Sequence, residues 1–317
     1  GTRTGTNSYW STFQFKKNQF KTLSEYLQDK NYYTKADVVN KLVIPQQGLD
    51  EFLIHNENED DLTERHKAFL EDMKLKNNSG KNFFLYLQYS NIHTGIVNDV
   101  LKIYNNFSSE FFNNPENNKK RYQNLFKNAE NYLSEILERI NELGLLDNSI
   151  ILVMADHGTS IGEKIGERAY GAFCYDYTIK SFVNYISSEL TNQRIEQQIR
   201  HVDVMPSILE YLEIKMDEKF AKIDGTSFLP LIRGEKMKEE IAYTETANPL
   251  KESKPPKIPN TMSVRTSNWK LIFNEYNNTK ELYNLKQDPD EKENLIDTGL
   301  EIQEQLWDQF KKIQNKL

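Results

Sequence analysis

Asp156 and His157 stand side by side, follow the apolar run Ile150-Ile151-Leu152-Val153-Met154-Ala155 and precede Gly158. A carboxylate next to an imidazole suits Zn, Mn and related divalent ions, and Ca or Mg when further oxygens join. The same two side chains also serve as a hydrogen-bonded structural pair, so alone they leave both readings open. His93 lies just past a second apolar run, Phe83 to Tyr89, and is likewise open between a satisfied surface histidine and a catalytic one.

Both runs have the composition of strands covered on two faces, as in a parallel sheet flanked by helices. Ligands in such sheets sit at the carboxyl ends of the strands, where these polar residues fall. Between the runs, Leu125, Ala129, Tyr132, Leu133, Ile136, Leu137 and Ile140 form a helical stripe that ends at Gly144. The spacing therefore predicts a strand-helix-strand crossover, with a shared cleft if the two strands are neighbours. Other helices are expected at 22–30, capped by Thr22 or Ser24, at 62–75, where His66 falls on the stripe of Leu62, Phe69, Leu70 and Met73, and at 199–212 around Pro206. Residues 105–119, Asn-rich and interrupted by Pro115, read as a long loop, and 178–186 as a strand. His55 and His66 are expected at the surface, and His201 and Asp203 at a helix start.

After Gly234 short strand-like pieces follow one another at 241–246, 261–265, 270–273 and 280–283, and a helix at 300–316 closes the chain. The expected organisation is an α/β domain at 1–234, with a mostly parallel sheet, and a small antiparallel α+β subdomain at 235–317.

The net charge of -7 and a 27% charged composition give no broad basic surface, which speaks against a nucleic-acid partner. No window reaches the roughly 18 apolar residues of a membrane span. The single cysteine, Cys174, excludes an internal disulfide framework and a cysteine-based zinc cluster, and reads as a buried structural thiol.

Seven blocks in order resemble the sulfatase branch of the alkaline phosphatase superfamily, metal-dependent hydrolases of sulfate and phosphate esters. They are Thr22 to Thr34, Gly48 to Phe52, Phe83 to His93, Leu143 to Gly158, His201 to Leu209, Asp224 to Leu231, and the ending from Val264 through Glu281-Leu282-Tyr283 to Leu295. The block ending in Asp156-His157-Gly158 is the most specific. The resemblance implies an alkaline phosphatase-like fold, with Asp156 and His157 as ligands of a divalent metal, Ca foremost and Mg, Mn or Zn as alternatives, and His93 contacting the ester oxygens. It further implies a small-molecule or glycan sulfate or phosphate ester as substrate.

The departures bear on catalysis. The family's Asp-Asp metal pair and its Cys or Ser nucleophile would precede residue 1, since Thr4-Gly5 matches a position about ten residues past the nucleophile. The resemblance thus implies a chain that begins after its nucleophile. Cys174 lacks the Pro and Arg that a formylglycine-forming cysteine needs, so that cofactor is not encoded within these residues. Thr6, Ser8 and Ser11 serve as nucleophiles only in a different register. Where relatives carry a Lys and a His, Val39 to Val43 retains only Lys41. In the loop after the metal pair, Arg168 has the fork geometry to clamp a sulfate or phosphate, with Lys164 as a point charge, against the alternative of a solvated loop. Arg265 and Lys270 are assigned to strand faces. A phosphoryl or phosphoglycerol transferase and a non-catalytic binding module are the rival functions.

Overall fold

The computed structural model describes residues 19–315 apart from 42, 99–108, 166, 168–170, 172 and 247–260. Thr4 to Ser11 and Arg168 lie outside the described residues. Strand β1 (Tyr33–Val38) lies between β2 (Glu51–Ile54) and β3 (Phe83–Leu87), and pairs with both in parallel. Every residue of β1 is buried although its sequence is Tyr-Thr-Lys-Ala-Asp-Val. Its polar groups are matched one by one: Thr34 donates to the Gly48 carbonyl at 2.7 Å, and Lys35 pairs with Glu51 at 3.0 Å and Asp72 at 3.3 Å. Burying such groups is tolerable only when each finds a partner.

Here the sequence reading needs correction. The run expected to be covered on both faces at 83–89 is half-buried, as is most of β4 (Ile151–Met154), whose Met154 is exposed. Each has one strand partner among the described residues: β3 pairs with β1, and β4 pairs antiparallel with β5 (Val183–Ile186) rather than with β3. The crossover therefore joins the strands through packing. Leu70 of α2 (Leu62–Asn78), together with Ile136 and Ile140 of α5 (Pro115–Glu142), gathers Phe83 and Leu85 from β3 and Ile151 from β4 into one cluster.

Helix α1 (Leu23–Asp29) begins as expected, with Thr22 and Glu25 completing a capping box. The loop expected at 105–119 is also corrected. Its latter part contains α4 (Ser109–Phe112) and the start of α5, because Pro115 sits in the first turn, where a missing N–H costs nothing. A short helix, α3 (Asn91–Ile96), follows β3 directly. Of the expected strand at 178–186, only β5 forms, preceded by the short helix α6 (Asp176–Ile179). A 3₁₀ turn (His201–Asp203) leads into α7 (Val204–Tyr211), and α8 (Leu229–Ile232) follows.

Beyond these, β6 (Ala242–Thr246), β7 (Thr261–Arg265), β8 (Trp269–Asn274) and β9 (Thr279–Asn284) form an antiparallel sheet in sequence order. Helix α9 (Glu301–Gln314) lays Leu306 and Phe310 on Met262, Val264, Leu271 and Leu282. On the strands, Arg265 grips Asp176 through two donors at 2.9 and 2.7 Å, and the fully buried Lys270 pairs with Asp176 and, at 2.7 Å, with Glu291. Burial alone would raise the Asp176 pKa, but Arg265 and Lys270 outweigh it and hold the carboxyl at about 2. This buried charge group attaches the sheet to the segment that follows the Asp-His pair. Cys174 is fully buried, and burial pushes its thiol up to about 12, the state of an unreactive structural cysteine.

Candidate active site

Strand β4 ends at Met154, and after the half-buried Ala155 the chain emerges into solvent. The side chains of Asp156 and His157 are 81% and 41% exposed. Asp156 Oδ1 accepts the His157 backbone N–H at 2.9 Å, which turns the carboxylate back over the chain. His157 Nδ1 donates to the Gly158 carbonyl at 2.7 Å, which places a proton on Nδ1 and orients the ring. Nε2 stands 3.7 Å from Asp156 Oδ2. An Nδ1–H anchored on a backbone carbonyl is how proteins orient imidazole ligands, so the residue types of this exposed pair fit a divalent cation.

Gly158 is required by packing. A Cβ there would sit 2.2 Å from the Tyr177 carbonyl oxygen, while the Gly158 N–H donates to the Thr178 carbonyl at 2.8 Å. The strand end is held from the other side by His201, whose Nε2 lies 3.0 Å from the Ala155 carbonyl and 2.7 Å from Ser181 Oγ. His201 springs from the expected helix-start turn. Asp203 fixes that turn by accepting from Arg200 at 2.7 Å and from the Thr226 N–H at 2.8 Å. On β3, burial raises the Tyr86 phenol, and the charge of Asp156 raises it further.

The remaining predicted residues are scattered. His93 is exposed on α3, and Lys41 is exposed beyond β1. Lys164 is half-buried, donating to the Glu291 carbonyl at 2.6 Å and lying 4.7 Å from the Tyr175 ring centre. His93 thus follows the carboxyl end of β3, and Asp156 and His157 follow that of β4, whereas Lys164 leans toward the antiparallel sheet.

The sequence reading misplaced His55 and His66, which are 2% and 0% exposed rather than at the surface. Both bind Asp37 Oδ2, His55 through Nδ1 at 2.9 Å and His66 through Nε2 at 3.0 Å. Their far nitrogens meet hydroxyls, Ser90 Oγ at 2.8 Å from His55 and Tyr132 OH at 2.6 Å from His66. Arg65 adds two donors to Asp37, at 3.1 and 2.9 Å. Burial raises the Asp37 carboxyl, but the bonds from His66, Arg65 and His55 outweigh it and hold the group well below the usual carboxylate range. Burial also lowers the His66 pKa, keeping the ring neutral. A signal was available: His66 occupies the apolar stripe of α2, four residues from both Leu62 and Leu70.

Asp37, His55 and His66 offer three ligand atoms within 4.8 Å of one another. Yet Asp37, Arg65 and the two imidazoles already satisfy one another and the Ser90 and Tyr132 hydroxyls without an ion. A cation here would place further positive charge beside Arg65 in a buried setting.

A family model described as Sulfatase matches residues 2–214, and one described as N-sulphoglucosamine sulphohydrolase, C-terminal, matches residues 173–316. Among solved structures, a 2-O GAG sulfatase shares 16% identity at TM-score 0.67, covering 93% of this chain and 73% of its own. A protein of Bacteroides fragilis described as a sulfatase shares 14% at TM-score 0.70, covering 96% and 78%. A protein in complex with its substrate D-glucosamine-2-N,6-O-disulfate shares 15% at TM-score 0.63, covering 94% and 82%. At these identities the likeness establishes the fold. No curated protein matches the sequence at a significant level.

Proposed function

The chain belongs to the sulfatase family and is a sulfuric ester hydrolase-like enzyme; on that premise we propose that it hydrolyses sulfate esters with a divalent metal held by Asp156 and His157. The observation that carries the reading is the pairing of an imidazole and a carboxylate at the exposed end of β4, where the Gly158 carbonyl anchors His157 Nδ1 and Nε2 stands 3.7 Å from Asp156 Oδ2. When bound, such a cation polarises the ester oxygens and acidifies the attacking hydroxyl. Calcium is the proposed ion, with Mg, Mn and Zn as the alternatives to compare.

The chain's own residues have separate tasks. His93, from α3, donates to the ester or leaving-group oxygen. Lys41 and Arg168 supply positive charge to the sulfate, Arg168 through two parallel N–H donors. Lys164 joins them only by giving up its bond to the Glu291 carbonyl. His201 holds the Ala155 carbonyl, and Gly158 lets the turn close on Tyr177. The proposed substrate is a small sulfated molecule or glycan, by analogy with the neighbour that binds a glucosamine disulfate. The domain division at residue 234 belongs to the same reading.

The test is hydrolysis of an aryl sulfate and an aryl phosphate by the protein, with and without chelator and with each metal restored in turn. Loss of sulfate release on chelation, recovered by calcium, is expected. Preference for the phosphate would favour the transferase reading, and full activity in Asp156→Ala would remove the metal assignment.

A further inference from the structure

The buried group around Asp37 draws on every strand of the parallel sheet at its carboxyl end: Asp37 lies on β1, His55 directly follows β2, and Ser90 lies between β3 and α3. Ser90 Oγ, His55 and Asp37 are spaced at 2.8 and 2.9 Å in the serine-histidine-carboxylate order of a charge relay. Ser90 is 3% exposed, and both partners are buried as deeply, so an ester has no route to the hydroxyl. The hydroxyl instead serves as a tether. It precedes α3 without capping it, since no backbone N–H of α3 bonds to it, and it is committed to His55.

Two further contacts hold the same helix. Thr94 Oγ1 donates to Glu57 beyond β2 at 2.9 Å, and Gly95 lies so close to α5 that a Cβ would stand 2.2 Å from Leu125 Cδ2. From there the packing continues to the metal pair's own loop: Ile96 packs on Phe111, and buried Asn118 donates to the carbonyls of both Phe111 and Ile161, at 2.9 and 2.8 Å. The loop that follows Asp156-His157 and the helix that carries His93 are therefore built against one support.

We propose that Ser90, His55 and Asp37 form a positioning chain that docks α3 on the carboxyl end of the sheet and so sets His93 relative to the Asp156-His157 pair. Arg65 and His66 keep Asp37 ionised and oriented, and His55 passes that orientation to Ser90. The role assigned to His93 rests on the function proposed above, whereas the docking of α3 does not.

The experiment compares Ser90→Ala and Ser90→Thr with the parent protein by amide hydrogen exchange over residues 90–96, calcium affinity and aryl sulfate kinetics. Ser90→Ala is expected to speed exchange across α3 at least about tenfold and to lower kcat by about 10²-fold through misplacement of His93, with calcium affinity unchanged. Ser90→Thr, which keeps the hydroxyl, is expected to recover most of both losses. Unaltered exchange in Ser90→Ala would overturn the docking. Altered exchange with unaltered kcat would overturn the link to His93, as would equal kcat losses in the two variants. Labelling of Ser90 by a fluorophosphonate would overturn the tether by showing an accessible nucleophile. If the parent protein releases no sulfate at all, it is the proposed function that fails, and the exchange data still decide the docking.

Discussion

Two Asp-His groups, each at the carboxyl end of a strand, are built in opposite ways in this molecule. Around Asp37 every nitrogen and oxygen is committed: two imidazoles and a guanidinium converge on one carboxylate, and the outer ring nitrogens meet hydroxyls. At Asp156 and His157 the bonds run within the turn, to the His157 N–H and the Gly158 carbonyl, and both side chains are exposed. The same residue types give a buried structural brace at Asp37 and, at Asp156 and His157, an exposed pair that we propose as a ligand set. Burial decides which, because a dry site tolerates no unpaired polar atom while an exposed one can wait for an ion.

The strongest way to break this contrast is to remove the two aspartates separately. Asp156→Ala is expected to lower sulfate ester hydrolysis by about 10³-fold, equivalent to about 4 kcal/mol, while leaving the urea midpoint where it was. Asp37→Asn should do the reverse for stability. Stranding Arg65 and two histidines costs about 3 kcal/mol, read as a lower urea midpoint, with calcium affinity unchanged. A loss of calcium binding in Asp37→Asn without unfolding would show that the two groups are not independent.

Gly158→Ala sharpens the contrast more gently. A methyl driven against the Tyr177 carbonyl must displace the turn, and a loss of about tenfold to 10²-fold in kcat is expected with little change in stability.

The smallest effect is the pH dependence of the brace. Burial lowers the His66 pKa below its ordinary 6.5, so the unfolded chain takes up a proton that the folded one resists. The stability contributed by the neutral ring is complete above that ordinary value and is lost as pH falls below it toward the lowered folded value. One proton accounts for at most about 1.4 kcal/mol per pH unit. Thermal unfolding followed from pH 7 to 5 should therefore fall less steeply in His66→Asn than in the parent protein. Equal slopes would mean that His66 already shares the proton in the fold.

How much of this was legible in the chain depends on the range of the interaction. Helix α2, the stripe and C-terminal end of α5, the capping box of α1 and the four strands of the antiparallel sheet follow from residues a few positions apart, and they stand within a few residues of where the periodicity placed them. Pro115 was misread as an interruption because its meaning depends on whether it falls in the first turn or later. The half-exposure of β3 and β4 was not legible, since an apolar run states what a strand is able to bury and not how many neighbours it receives.

By itself, then, the sequence determined the family and the place of the exposed pair: an apolar strand must end where Asp156, His157 and Gly158 begin, and local chemistry suffices to say so. Only the tertiary structure decided that β1, polar in composition, would be the wholly buried strand, and that His55 and His66 would meet at Asp37. Those bonds join residues 18 and 29 positions apart, and the one from His66 to Tyr132 spans 66, separations at which no periodic pattern survives. A polar side chain becomes part of a core only when its distant partners arrive, and their arrival is a property of the folded chain.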